Sequence, residues 1–566
     1  MAGSESRLSR QNNLNRRDFI RKTALGGLYG AYVIASGCAP KRDFDLLIRG
    51  GLICDGTGKD LFRADVGIKN GRIAAIGALQ DKSAVRVIDA DELIVAPGFI
   101  DIHSHSDDEL LVDGRAHSKI RQGVTTEVLG QDGSSYAPLN DEMRQRMHER
   151  LKNNYGIDVD WQDMRGYYNK LRKQGLSVNV VSMVGAGTLR AHVVGYEDRP
   201  ATSEEIARMQ ALLQKAIEQG ARHLSSGLEY TPGSFASTEE LIELCRVLGP
   251  QGVYSTHMRN EDDRVLQAVS EAIRIAREAG CKLNISHLKA SGKRNWHKLD
   301  AILNLLDEAR QSGTATTCDR YPYIAYSTGL TALFPTWSRE GKSEDFVARL
   351  QDESLLPKIR EAVLNKIHML GDWNAVMISS MSEEPHKAYA GRRLGDLARE
   401  HNQEPFEFLR QLMIAEKGRG GMVGFAMSEE NTERVLAYPY CAVASDGSAR
   451  ATEGPLSEGS PHPRNFGTFP RVLGYYVREK KLFSLPEAIR KMTDLPARII
   501  GIQQRGLIAE GYFADVTLFH PEKVRDTATF VQPKQYPEGI EYVIVNGKVV
   551  IDQGEHTHRK PGKILY

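Results

Sequence analysis

The stretch Leu93-Ile94-Val95-Ala96-Pro97-Gly98-Phe99-Ile100-Asp101-Ile102-His103-Ser104-His105 decides how this chain reads. Its apolar start reads as a buried strand, Pro97-Gly98 punctuates it, and the polar residues from Ser104 to Glu109 mark an exit into a loop. Side chains i and i+2 of a strand share a face, so His103 and His105 reach one point and can hold one metal ion. The C-terminal mouth of a parallel barrel is where such enzymes carry their chemistry. A His-x-His pair alone also fits two unrelated surface or core histidines, so the reading depends on the rest of the chain.

Two further histidines end strand-like runs, Gly252-Val253-Tyr254-Ser255-Thr256-His257 and Lys282-Leu283-Asn284-Ile285-Ser286-His287. Catalytic divalent sites combine imidazole and carboxylate donors and keep one position open for water. Two more strand ends offer carboxylates: Glu229 follows Leu224-Ser225-Ser226-Gly227-Leu228, and Asp446 follows Cys441-Ala442-Val443-Ala444-Ser445. The predicted metal donors are therefore His103, His105, Glu229, His257, His287 and Asp446. Neither Ser225-Ser226 nor Ser134-Ser135 sits in a Gly-x-Ser-x-Gly elbow, so no serine nucleophile is indicated.

Amphipathic helical runs alternate with strand-like ones through the middle of the chain, for instance Ser203 to Gln219 before His223-Leu224-Ser225-Ser226 and Leu266 to Glu278 before Lys282 to Ser286. That alternation predicts an α/β fold, a parallel sheet closed as a (β/α)8 TIM-like barrel. Short β-rich segments punctuated by Gly50-Gly51 and Asn70-Gly71 precede it, and similar ones follow in Ala514 to Phe519 and Tyr542 to Val550. These ends predict one small β-sandwich domain. The boundaries are 43–95 and 506–566 for the sandwich and 96–505 for the barrel, with a less regular insertion near 331–420.

With 566 residues, 41% of them hydrophobic, the chain can bury a large core, and 74 basic against 73 acidic side chains supply no field to gather nucleic acid or an anionic membrane. Cys38, Cys54, Cys245, Cys281, Cys318 and Cys441 show no CxxC spacing, so neither a disulfide framework nor a zinc knuckle is indicated. Asn15-Arg16-Arg17-Asp18-Phe19-Ile20-Arg21-Lys22 before the glycine-containing apolar run Thr23 to Gly37 resembles a twin-arginine export signal over residues 1–38. Ala35-Ser36-Gly37-Cys38 resembles a lipoprotein cleavage site with Ala35 in place of a larger aliphatic residue. The expected location is the periplasm or cell envelope, with lipidation at Cys38 left open.

Taken together the motifs resemble the amidohydrolase superfamily and, within it, the N-acyl-D-amino-acid deacylase (D-aminoacylase) family. They include Ala96 to His105, Gly123-Val124-Thr125-Thr126, Leu224 to Gly233, Thr256 to Glu261 and Ile285 to Lys289. Asp319-Arg320-Tyr321-Pro322-Tyr323, Ser445-Asp446-Gly447, His462-Pro463-Arg464 and Lys491 to Arg498 extend the match from about Phe44 to Gly547. One departure stands out: many members carry a metal-binding cysteine where this chain has Asp132, within Gly130-Gln131-Asp132-Gly133. A carboxylate is a harder donor than a thiolate, so the cysteine-type site does not carry over.

The resemblance implies one or two zinc ions, with His103, His105 and Asp446 around one, His257 and His287 around the other, and Glu229 bridging. It implies Asp446 as general base and acid toward a metal-activated water, and a substrate carboxylate held by Lys289, Tyr321 and Arg464 with Ser327 nearby. The implied reaction is hydrolysis of N-acyl-D-amino acids to a carboxylate and a free D-amino acid; the D preference comes from the resemblance alone. The alternatives are an amidohydrolase acting on a cyclic amide, as hydantoinases and dihydroorotases do, or on a dipeptide, and a non-catalytic binding protein on an inherited barrel. A small-molecule substrate is the only partner implied, apart from the membrane if Cys38 is lipidated.

Overall fold

A computed structural model describes residues 42–566, so the export-signal and Cys38 readings lie outside the described residues. Eight parallel strands form the barrel. The first three (Phe99–Asp101, Val124–Leu129 and Asn179–Ser182) pair in sequence order. The third then continues through Met183 into Val184–Gly185, which pairs with the fourth, Leu224–Gly227. Val253–His257, Lys282–Ile285, Thr316–Arg320 and Cys441–Val443 complete the ring, each paired in parallel with its predecessor. The seam between the eighth and first strands closes by the Ser104↔Gly447 bridge, with Asp446 N donating to His103 O at 2.9 Å and His105 N to Gly447 O at 3.0 Å.

The strands are buried on both faces, and their polar residues, such as Thr125, Thr126, Glu127, Ser255 and Thr256, are buried with the apolar ones. Helices pack outside them. Ser203–Glu218 starts on a Thr202/Glu205 capping box and turns Met209, Leu213 and Ala216 inward at helical spacing. Ile100, Ile102, Val128, Val181 and Met183 plug the barrel together with Leu495, Ile499, Ile500 and Ile502.

The chain's two ends build one nine-stranded sheet. Its midpoint is Ile94–Pro97, which pairs in parallel with Phe44–Ile53 and antiparallel with Val516–Phe519 before running into the first barrel strand. The sheet encloses its own core of Ile48, Val66, Ile68, Val95, Val516 and Ile544, so it forms a small sandwich beside the barrel.

Between the seventh and eighth barrel strands lies a separate unit. Ala325–Gly329, Val376–Ser380 and Gly421–Phe425 form a three-stranded antiparallel sheet, with helices including Leu356–Leu370 and Pro405–Ala415 around a second core. This unit is more regular and wider than the insertion expected near 331–420. It supplies Tyr326, Ser327, Thr328, Ala332, Lys366 and Met369 to the cavity at the barrel mouth.

Candidate metal centre

The barrel delivers its chemistry from the ends of several strands. His103 and His105 leave the first, Asp132 lies in the loop after the second, and His257 ends the fifth. His287 and Asp446 follow the sixth and eighth, and both hold left-handed backbone, φ 37° and 49°. Non-glycine residues adopt that region only where the surroundings enforce it.

The Asp132 loop shows how such enforcement is built. Asp132 itself has φ 52° and is flanked by Gly130 and Gly133, also at positive φ. A Cβ on Gly130 would meet Met183 O at 2.3 Å, and one on Gly133 would meet Gly227 N at 2.6 Å. Gln131 Nε2 donates to Ile102 O at 2.8 Å and Gly133 N to Ser225 Oγ at 3.1 Å, pinning the loop to its neighbours.

Two donor sets result, and Asp132 belongs to both: His103, His105, Asp132 and Asp446 in one, Asp132, His257 and His287 in the other, the atoms of each set within 4.8 Å of one another. In the first, His105 Nε2 is 3.3 Å from His103 Nε2, 3.0 Å from Asp446 Oδ1 and 3.5 Å from Asp132 Oδ2. In the second, His257 Nδ1 is 3.0 Å from His287 Nε2, and Asp132 Oδ2 lies 3.9 Å and 3.5 Å from those two nitrogens.

The geometry corrects the expectation for Glu229. Its Oε2 lies 3.8 Å from His257 Nε2, the ring nitrogen on the opposite edge from the Nδ1 that faces the cluster. Its Oε1 accepts from Glu261 N at 3.2 Å. Glu229 belongs to neither converging set, and the shared carboxylate is Asp132. The sequence signal for it was present, since Asp132 occupies the position of the family cysteine. What strand-end position did not reveal is which side of His257 the Glu229 side chain takes.

The electrostatics suit a cation. Burial opposes protonation of His103, yet Asp132, Asp319 and Asp446 outweigh it and hold the imidazole well above its usual range. His105 is only partly buried, and hydrogen bonds to Asp132 and Asp446 push it up to about 9. Burial would raise the Asp446 carboxyl, but Arg464 with His103 and His287 holds it well below the carboxylate range. Asp132 Oδ1 is buried with no hydrogen-bond partner among the described residues. Four imidazoles and two carboxylates, one of them with a buried oxygen that lacks a hydrogen-bond partner, fit one or two divalent ions.

Behind these donors stand carboxylates that fix ring orientation. Glu261 Oε1 is 3.0 Å from His287 Nδ1, and Asp319 Oδ1 is 3.4 Å from His103 Nδ1 while accepting His287 N at 2.8 Å. Sequence reading singled out neither for this role.

The four expected substrate residues share one cavity of about 660 Å³ with His105, Asp132, His257, His287 and Asp446. Arg464 Nη1 donates to Asp446 Oδ2 at 2.8 Å and Nη2 to Ser327 O at 3.3 Å. Lys289 Nζ pairs with Glu261 at 2.6 Å. Tyr321 Oη and Arg464 Nε are buried with no hydrogen-bond partner among the described residues, so both have donors to offer. Leu139, Met143, Met147, Ala191 and Met369 make up an apolar part of the wall.

Comparison with known proteins gives a consistent picture. Residues 454–551 match the model described as "Amidohydrolase family". A D-aminoacylase of Alcaligenes xylosoxydans xylosoxydans is 37% identical over 523 residues, 92% of this chain and 97% of that relative. An N-acyl-D-glutamate deacylase of the same organism is 36% identical, covering 92% and 96%. The crystal structure of an N-acyl-D-glutamate deacylase from Bordetella bronchiseptica, complexed with zinc and a phosphonate mimic of the tetrahedral intermediate, is 34% identical with a TM-score of 0.77, covering 92% of this chain and 99% of that one.

Proposed function

This chain belongs to the D-aminoacylase family of amidohydrolases, and from that premise we propose that it hydrolyses N-acyl-D-amino acids to a carboxylate and a free D-amino acid. The observation that carries the reading is the convergence of His105, His257, His287, Asp132 and Asp446 in one cavity with Arg464 and Tyr321, with His103 buried directly behind them in the first donor set. Zinc, in one or two copies, is the ion proposed, since imidazole-rich sets with carboxylates suit it and the Bordetella relative was solved with zinc.

His103, His105, Asp132, Asp446, His257 and His287 would hold a divalent ion, which would supply Lewis acidity toward the amide carbonyl and an attacking water. The remaining work falls to side chains. Asp446, kept ionised by its neighbours, accepts the proton from that water and returns it to the nitrogen as the C–N bond breaks. Arg464 holds Asp446 Oδ2, so the other oxygen, Oδ1, faces His105 and the reacting centre. Arg464 Nε and the Tyr321 hydroxyl donate to the substrate α-carboxylate, both bonds charge-assisted by the ionised acceptor. Lys289 is already paired with Glu261, which offsets its charge. Fixing carboxylate, amide and side chain at separate points is what lets a site read chirality.

The test is free-amine release by the zinc-loaded protein from paired D and L N-acetyl amino acids, with Asp446→Asn as control. Release from D forms only, lost in the control, supports the proposal. No release from either series with metal bound sinks it and favours a cyclic amide or dipeptide. For location we propose export by the twin-arginine route, motivated by Arg16-Arg17; a periplasmic fraction unchanged when both arginines become lysine would refute it.

A further inference from the structure

Lys119 is completely buried, in the short helix His117–Ile120 before the second barrel strand. A buried ammonium persists only where its charge and donors are matched. Here Nζ lies 2.6 Å from Asp101 Oδ2, 2.6 Å from Ser445 Oγ, 2.8 Å from Gly447 O and 3.2 Å from Ser104 Oγ. Each partner occupies a telling position. Ser104 stands between His103 and His105, and Ser445 and Gly447 flank Asp446. One ammonium thus grips both tripeptides that carry three of the four donors of the first set, all but Asp132.

The contacts are reinforced from both sides. Asp101 accepts from Ser445 N at 2.9 Å and from Ser445 Oγ at 2.6 Å. Glu127 Oε2 accepts from Ser104 Oγ and Ser106 Oγ, both at 2.5 Å, and lies 3.6 Å from Lys119 Nζ. Ser104 therefore gives its proton to Glu127 and keeps a lone pair for Lys119. The grip falls at the barrel seam, where the Ser104↔Gly447 bridge joins the eighth strand to the first. It also flanks Asp446, whose φ of 49° needs enforcement. The second donor set is tied by a different lysine: Lys289 Nζ donates to Glu261 Oε1 at 2.6 Å and to His287 O at 3.0 Å, and makes none of the contacts of Lys119, while the strands carrying His257 and His287 pair along regular ladders.

We propose that Lys119 is a positioning residue for the His103/His105/Asp446 half of the metal centre, holding the first and eighth strand ends in the register those donors need; this rests on the metal-centre reading above. Removing the clamp weakens metal binding by that half selectively. The test is cobalt affinity by chelator competition on the full chain, in two backgrounds. His257→Ala disables the second set, and His105→Ala disables the first. Adding Lys119→Met is expected to weaken cobalt binding about 10- to 100-fold in the His257→Ala background, and less than about twofold in the His105→Ala background. The d–d spectrum of bound cobalt should change only in the former.

Equal weakening in both backgrounds would mean that Lys119 merely supports the fold, and no weakening in either would mean that the seam holds without it; each overturns the proposal. Should Lys119→Met not fold, Ser445→Ala removes one arm of the clamp while leaving the Lys119–Asp101 pair, and the same selectivity is expected at smaller magnitude. Wild-type protein that binds no cobalt would overturn the metal centre and the clamp together, which separates that failure from the failure of the clamp alone.

Discussion

Asp446 and Tyr321 line the same cavity, and their surroundings assign them different consequences. Asp446 is held on one oxygen by Arg464 and faces His105 with the other. Replacing it with Asn removes proton acceptance while keeping the shape. At saturating metal, kcat/KM should fall about 10²- to 10⁴-fold, with bound metal measured in parallel to separate lost chemistry from lost binding. Tyr321 differs because its buried hydroxyl bonds to nothing among the described residues. Tyr321→Phe should leave thermal stability unchanged or slightly raised, since no protein hydrogen bond is lost. It should raise KM roughly tenfold, the worth of one hydrogen bond to a charged group. An unchanged KM would remove Tyr321 from carboxylate binding.

At the scale of single elements, His223 precedes the fourth strand and uses both ring nitrogens in its neutral form. Nδ1 accepts from Val253 N at 3.2 Å, which leaves Nε2–H to donate to Ile500 O at 3.0 Å. Protonation would set an N–H against an N–H, and burial, its largest influence, lowers the imidazole from 6.5 to about 4. Between those values the unfolded chain binds the proton and the native one does not. Stability is therefore whole above about pH 6.5 and declines as pH falls toward 4, by up to about 3 kcal/mol from this residue. His223→Gln should flatten that part of the stability–pH profile by about one proton, measured by denaturant unfolding at stepped pH. An unaltered slope would show that other groups carry it.

Elements also decide what was legible in the sequence. Strand ends such as Val253–His257 announce themselves because a short β-prone run rich in β-branched and aromatic residues ends on a histidine, and the same pattern returns at His287. Asp132 was marked only by the family resemblance and by no strand pattern of its own, because it sits on a loop whose path depends on Gly130 and Gly133 packing against distant backbone. Glu229 follows a strand just as the histidines do, but one rotation of its side chain places it behind His257. Lys119 was invisible as well: a lysine in Ser118-Lys119-Ile120 reads as a surface residue until the eighth strand is brought beside the first. The insertion's regularity was hidden because its strands pair across intervals such as Thr328 to Met422.

For the whole molecule, the question is what makes sandwich and barrel one body. The covalent link is Ile94–Pro97 running into Phe99–Asp101, and beside it lies a buried polar network. Arg505 pairs with Asp515 and donates to Asn546 Oδ1 at 2.8 Å. Asn546 Nδ2 donates to Asn179 Oδ1 at 2.8 Å and to Pro561 O at 2.9 Å, and Asn179 Nδ2 donates to Asp515 Oδ2 at 3.1 Å. Sandwich, third barrel strand and C-terminal segment meet there. Arg505 and Asp515 are both nearly inaccessible, 3% and 4% exposed at the side chain, so removing one leaves the other buried and unpaired. Arg505→Met should cost about 3–5 kcal/mol and split the thermal transition in two as the domains lose cooperativity. Arg505→Met with Asp515→Asn removes the stranded charge and should recover part of that loss and a single transition. Calorimetry on the three proteins decides it: a double variant no more stable than Arg505→Met would show that the guanidinium's packing, and not its charge, joins the two domains.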